Sequence, residues 1–183
     1  SIFFSEFFKT IYAFEPNPLT YEILKINSNF NTSKKNITTY KLGLSDKEGK
    51  AFFRVNKTNM GGSSIITPKE YKVNSMDAIE IKITCADAIE DLGKDNIGCI
   101  KIDVEGHELE TLIGAENIIK RNKPIIIFEQ NKQTFNNGSS KAINFLKKLG
   151  YSFYIFNKDF YFGENKIARF FSFITNLFLE KNL

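Results

Sequence analysis

The sequence predicts an α/β fold built on a mostly parallel sheet with helices on both faces. Strand-like and helix-like segments alternate along most of the 183 residues, and strands covered on both faces read as short continuous apolar runs. Three of these runs stop on an acid, at Glu15, Asp103 and Glu129. In open α/β sheets ligands bind outside the carboxyl ends of the strands, so those acids mark the expected chemical edge.

The elements follow in order. Ile2, Phe3, Phe4, Phe7 and Phe8 recur at helical spacings and predict the last turns of a buried helix. Ile11 to Phe14 is a short strand, ended by Glu15-Pro16-Asn17-Pro18, whose prolines forbid ladder bonding and suit the entry to a helix. Leu19, Ile23, Leu24 and Ile26 share a helical face, and Ile37 to Leu42 is the next strand, closing a β-α-β unit before the turn Ser45 to Gly49. Ala51 to Val55 is a further strand, and Asn59 to Ser64 a flexible loop, since no helix start of the phosphate-binding type follows its paired glycines. Ile79, Ile81 and Ile83 alternate with Glu80, Lys82 and Thr84, as in a half-exposed strand; Ala86 to Leu92 is a short helix stopped by Gly93.

The central stretch is Ile97 to Glu110. β-Branched residues crowd its first half, helical periodicity begins only after Gly106, and Asp103, Glu105, His107 and Glu108 follow within six positions. On an extended backbone Lys101, Asp103 and Glu105 project to one side, while Gly106 supplies a turn. Leu109, Leu112, Ile113, Ile118 and Ile119 form the apolar face of the next helix, and Pro124 to Phe128 is a strand ending on Glu129. Ser139 to Leu149 is an amphipathic helix stopped by Gly150, Tyr151 to Phe162 reads as two strands, and Ile167 to Phe178 as a final helix with one aromatic face.

Composition narrows the function classes. With 42% hydrophobic and 25% charged residues the chain is of the globular class and of single-domain size. Its formal charge of +4 comes from 25 basic and 21 acidic residues that are interspersed, which argues against nucleic acid as the main partner. Cys85 and Cys99 lie in apolar segments and, with a single His, cannot supply a four-ligand zinc site, so they are expected to be reduced core residues. No run of about 18 apolar residues is present and the first residues lack a basic n-region, so no membrane span or signal peptide is expected and a cytoplasmic location follows by default.

Five segments, in this order and at these separations, carry a resemblance: I-Y-A-F-E-P-N-P, L-G-L-S-D-K-E-G, G-G-S-S-I, I-K-I-D-V-E-G-H-E-L-E-T-L-I-G-A and P-I-I-I-F-E. Together they resemble the FkbM-type family of S-adenosylmethionine-dependent methyltransferases, over roughly residues 3 to 155. The resemblance implies a Rossmann-like three-layer sandwich, S-adenosyl-L-methionine as cofactor, and O-methylation of a sugar or other small-metabolite hydroxyl. It implies that Glu15 holds the ribose hydroxyls, that Asn17 beside it belongs to the cofactor site, and that Ser45 with Asp46 contacts the adenine side.

Asp103 is the candidate for the reaction centre, either holding the methionine end of the cofactor or accepting a proton from the substrate hydroxyl. His107, the one histidine of the chain, is a candidate general base because imidazole titrates near neutrality. Glu129 is expected to line the substrate side. Glu105 and Glu108 do not call for a metal, because acids at a helix N-terminus are favoured by the helix dipole alone.

The ribose-binding acid of such folds lies about 20 residues beyond a glycine-rich turn. Counting back from Glu15 places that turn before residue 1, and no Gly-x-Gly sequence occurs in the chain. A single domain over residues 1 to 183, N-terminally truncated and lacking its first central strand, is the expectation. Two function classes stay open: a methyltransferase, or a non-catalytic remnant serving as a binding or structural module.

Overall fold

A computed structural model describes residues 1–30, 34–55, 63–66, 78–129, 135, 139–156 and 176–181. The chain divides into two compact units, Ser1–Cys85 and Ala86–Leu183, which are taken in turn.

The first unit opens with α1 (Ile2–Ser5), β1 (Ile11–Phe14), α2 (Pro18–Phe30) and β2 (Ile37–Tyr40). β1 and β2 pair in parallel, Ile11 opposite Ile37 through Phe14 opposite Tyr40, which is the β-α-β unit the sequence predicts. Phe14 stacks on Tyr40 with ring centroids 4.9 Å apart. The expected burial of this N-terminal segment does not hold: Phe3 in α1 is 44% exposed and Phe7, beyond the end of α1 at Ser5, 54%. Its rings cover one another instead, Phe3 with Phe7 at 5.2 Å, and polar ties fix the helix end, Asn36 Nδ2 donating to Ser5 O at 3.0 Å and to Phe8 O at 2.7 Å. The helical face of α2 is present, yet Leu19, Ile23 and Ile26 on it are exposed.

The remaining strands of this unit form a mixed sheet in the order β3-β6-β4-β5, with β3 (Gly43–Leu44), β4 (Gly49–Arg54), β5 (Ser64–Ile66) and β6 (Ala78–Thr84). β3 runs parallel to β6, whereas β4 is antiparallel to both its neighbours. The period of two along β6 works as expected: Ile81 and Ile83 are buried with Phe53, while Glu80 and Lys82 face out. Ser64 belongs to a strand, and the rest of the expected glycine loop lies outside the described residues apart from Ser63.

In the second unit the expected helix from Ala86 is two pieces, a 3-10 turn at Ala86–Ala88 and α3 (Glu90–Lys94), so Gly93 sits inside a helix instead of ending one. β7 (Cys99–Ile102), α4 (Glu108–Ile113), α5 (Glu116–Asn122), β8 (Ile125–Phe128), α6 (Lys141–Lys148), β9 (Tyr151–Phe156) and β10 (Asn176–Lys181) follow. The single helix expected after Gly106 is thus broken at Gly114-Ala115, and Ile113 turns outward beside buried Leu112. Ser140 caps α6, its Oγ accepting the Ile143 N–H at 3.2 Å, and Ala142, Ile143 and Leu146 are buried, as an amphipathic helix requires.

The second sheet order is β7-β8-β10-β9. β7 and β8 are parallel, but β10 is antiparallel to both β8 and β9. Among the described residues the sheet of each unit is small and mixed in direction, and Leu177 and Phe178 lie in a strand where a helix was predicted. A short apolar run such as Leu177 to Leu179 fits either period, and pairing on both edges selects the strand. Residues 157–175, with the other expected strand and most of that helix, lie outside the described residues. The core of this unit is fully buried Leu112, Ile119, Ile126, Ile127, Phe128, Ile143 and Leu146. Among the described residues, β1 and β7 are each paired along one edge.

Candidate active site

In the first unit, Glu15 follows β1 and its N–H donates to Tyr40 O at 3.0 Å, which carries the parallel ladder one residue past the strand. The Asn17 N–H donates to Glu15 Oε1 at 2.8 Å, and Asn17 Oδ1 accepts the Leu19 N–H at 3.0 Å. Burial pushes the Glu15 carboxyl above its ordinary range, and the bond from Asn17 opposes that rise. Asn17 is buried, and its Nδ2 has no hydrogen-bond partner among the described residues.

Ser45 and Asp46 follow β3. The Ser45 N–H donates to Thr84 O at 2.9 Å and its hydroxyl to Asp46 Oδ1 at 3.1 Å, so the buried Ser45 steadies an exposed carboxylate. A Cβ on Gly43 would meet Ile83 Cγ2 at 3.4 Å and Pro16 Cβ at 3.6 Å. β3 therefore passes within van der Waals reach of the Glu15-Pro16 turn, which brings the two expected cofactor segments of this unit together.

In the second unit, Lys101 Nζ lies 2.9 Å from Asp103 Oδ2. The two share one side of the extended chain, as expected. Glu105 leaves that alternation, because it is left-handed with φ +46° and Gly106 follows at φ +94°. Glu108 Oε1 accepts the Gly106 N–H at 2.9 Å and so clamps the turn. His107 stands at the N-cap of α4, its carbonyl accepting from Thr111 N–H at 3.1 Å and Thr111 Oγ1 at 2.9 Å. Its imidazole is mostly buried, with Nδ1 3.7 Å from Glu110 Oε2.

Glu129 follows β8, and its N–H donates to Ile102 O at 3.3 Å across the β7–β8 pair. Asp103 and Glu129 are thus neighbouring strand ends. The Glu105 carboxyl is raised by partial burial first, and then by the charges of Glu129, Asp103 and Glu108, so these acids act on one another. Among the described residues no group of three or more His, Cys, Asp or Glu is disposed to hold a metal ion. Cys85 and Cys99 are half-buried thiols, and burial pushes Cys99 up to about 11.

One organising residue has no signal in the sequence. Asp87 accepts the Asn117 N–H and the Ile118 N–H, both at 2.9 Å, and its own N–H donates to Gly114 O at 2.9 Å. Its partners are about 30 residues away, so no local spacing could have pointed to it.

The chain's residues 4–153 match the model of the methyltransferase FkbM domain. The chain belongs to the FkbM methyltransferase family. Every expected site residue of this FkbM chain, from Glu15 to Glu129, lies inside the matched span. A curated relative, the hexuronic acid methyltransferase AglP of Haloferax volcanii, is 31% identical over 120 residues, covering 64% of this chain and 46% of its own length. The chain therefore spans about half of that relative. The crystal structure of methyltransferase FkbM from Methylobacillus flagellatus KT is similar in fold, with a TM-score of 0.54 and 17% identity over 94% of this chain and 36% of the other. Among the described residues of the FkbM chain, no helix is long and apolar enough to cross a membrane.

Proposed function

We propose that this chain carries O-methylation of a saccharide hydroxyl, with S-adenosyl-L-methionine as donor. The observation that carries the reading is the Lys101–Asp103 pair at the carboxyl end of β7, next to the His107 turn, in a chain of the FkbM family. When bound, the donor supplies a methyl group on a sulfonium. Glu15 fits the ribose end: Oε1 is taken by the Asn17 N–H, which leaves Oε2 to accept from hydroxyls. The exposed Asp46 carboxylate serves the adenine side, with Ser45 holding it. Asp103, oriented by Lys101, would hold the donor's ammonium or the acceptor hydroxyl, and His107 would take the proton of that hydroxyl, while the donor would supply the methyl group and depart as a neutral thioether. Holding the acceptor hydroxyl against the donor would supply most of the rate, and the base about 10²- to 10⁴-fold. Glu129, beside Asp103, lines the acceptor side.

The same reading takes the fold as a Rossmann-like sandwich whose first central strand is not among the described pairs. The parallel pairs β1–β2 and β7–β8, each with an acid at its carboxyl end, support it. The relative named for hexuronic acid supports a uronic acid or a related sugar as acceptor.

The test is transfer of labelled methyl from S-adenosyl-L-methionine to oligosaccharides with and without a uronic acid, together with calorimetric titration of the donor. Transfer to a sugar hydroxyl, lowered about 10²-fold in kcat by His107→Ala, is expected. Absence of both donor binding and transfer would leave the non-catalytic module as the better reading.

A further inference from the structure

The turn Glu15-Pro16-Asn17-Pro18-Leu19 has few main-chain donors. Neither proline carries an N–H, so Asn17 owns the single main-chain N–H between Glu15 and Leu19. That N–H is given to Glu15 Oε1 at 2.8 Å. The next one, on Leu19, is taken by the Asn17 side-chain oxygen at 3.0 Å, and the Asn17 carbonyl accepts the Tyr21 N–H at 2.8 Å as the first bond of α2. Residue 17 is thereby held on three sides.

We propose that Asn17 is a positioning residue, which fixes the Glu15 carboxylate for the ribose hydroxyls without touching the cofactor itself. Its Oδ1 is committed to the helix cap and its Nδ2 is buried, so neither side-chain atom is offered to a ligand. The side chain acts by setting the backbone of residue 17, and the N–H aimed by that backbone holds one carboxylate oxygen. The Glu15 N–H bond to Tyr40 O anchors the same residue from the strand side. Asn suits the position better than Asp, since Asp would cap the helix equally well but set a second negative charge beside Glu15. An Nδ2 without a partner among the described residues is the cost of that neutrality.

The inference rests on the reading of Glu15 as the ribose acid, and the experiment separates the two. Affinities for S-adenosylhomocysteine and for its 2′-deoxyribose analogue are measured by calorimetry on the wild type and on Asn17→Ala, Asn17→Ser, Glu15→Ala and Asn17→Ala/Glu15→Ala, with thermal melting of each. Asn17→Ala should weaken the ribose ligand by about 3- to 10-fold and shrink its advantage over the deoxy analogue. Asn17→Ser, which keeps a neutral cap oxygen, should restore both. In the Glu15→Ala background the Asn17 change should add nothing, as two residues acting through one contact require. Equal losses for both ligands, or losses that add in the double variant, would overturn the positioning role while leaving Glu15 as the ribose acid. Unchanged affinity in Glu15→Ala would remove the ribose reading and this one with it. Should Asn17→Ala fail to fold, Asn17→Ser decides: loss of the ribose preference despite an intact cap overturns the proposal, and its retention supports it.

Discussion

Lys101 Nζ lies 2.9 Å from Asp103 Oδ2, and both side chains are partly open to solvent. A pair so placed contributes about 0 to 1 kcal/mol to folding, because water screens it and the long Lys101 side chain must be ordered. In the proposed mechanism the pair serves instead to orient the Asp103 carboxylate. Asp103→Asn should leave the melting temperature nearly unchanged and lower kcat/KM about 10²-fold, with Lys101→Met following in the same direction by a smaller factor. Steady-state kinetics beside thermal melting checks this, and an Asp103→Asn enzyme with full kcat/KM would take that carboxylate out of the mechanism.

The strand ends were legible in the sequence because their signals are local. A β-branched run closing on an acid, or Ile81 and Ile83 alternating with charged neighbours, needs no knowledge of distant residues. What failed was set at long range. Leu177 and Phe178 fit both periods, and only pairing of Asn176–Lys181 with β8 and β9 decides for a strand. Phe3 and Ile23 have helical spacing, but spacing cannot say whether a face is covered, and both are exposed. At the candidate site, the Lys101–Asp103 side follows from period two, whereas the left-handed Glu105 and the Glu108 clamp on Gly106 had no signature beyond the glycine itself.

Asp87 gives a prediction of the long-range kind. Its two carboxylate oxygens hold the Asn117 and Ile118 N–H groups at the start of α5, two of the donors that a helix leaves without internal partners. Asp87→Ala should lower stability by about 1 to 2 kcal/mol, and Asp87→Asn, which keeps one acceptor oxygen, by roughly half of that. Urea unfolding reads the difference. Equal midpoints for wild type and Asp87→Ala would show the cap to be dispensable.

Tyr151 supplies a pH-dependent case. Its hydroxyl donates to the Pro124 carbonyl at 3.0 Å in a buried setting, and burial pushes the phenol up to about 12. An acid whose folded pKa is raised adds stability that is complete below its unfolded value of about 10 and is lost as pH climbs toward the folded one. Tyr151→Phe should cost about 1 to 2 kcal/mol near neutrality by leaving the Pro124 oxygen without its donor. Between about pH 10 and 12 the wild type should lose this advantage, so the two unfolding curves converge. Parallel alkaline curves would mean that the phenol does not titrate with folding.

Glu105 joins backbone and charge at the turn before His107. A residue with a Cβ held at φ +46° carries a local penalty of about 1 kcal/mol, which Asn tolerates better than Glu. Its carboxyl is also raised, by burial and then by Glu129, Asp103 and Glu108. A folded pKa above the unfolded value means that the protonated form suits the fold, so this contribution is present in acid below the unfolded value and is lost as pH rises through the folded one. At neutral pH the ionised Glu105 is therefore a burden on stability. Glu105→Gln, which removes the charge and keeps the strain, should stabilise the chain at pH 7 and lose that gain as pH falls below the carboxyl range. Glu105→Asn should add a further gain that does not vary with pH, of about 0.5 to 1 kcal/mol. Chemical denaturation at pH 4 and pH 7 separates the two components, and a Gln variant with the same gain at both would refute the electrostatic one. If the strained turn is what aims His107, the stabilised Glu105→Asn enzyme should also turn over more slowly at unchanged donor affinity, the usual exchange of stability for activity at a built site.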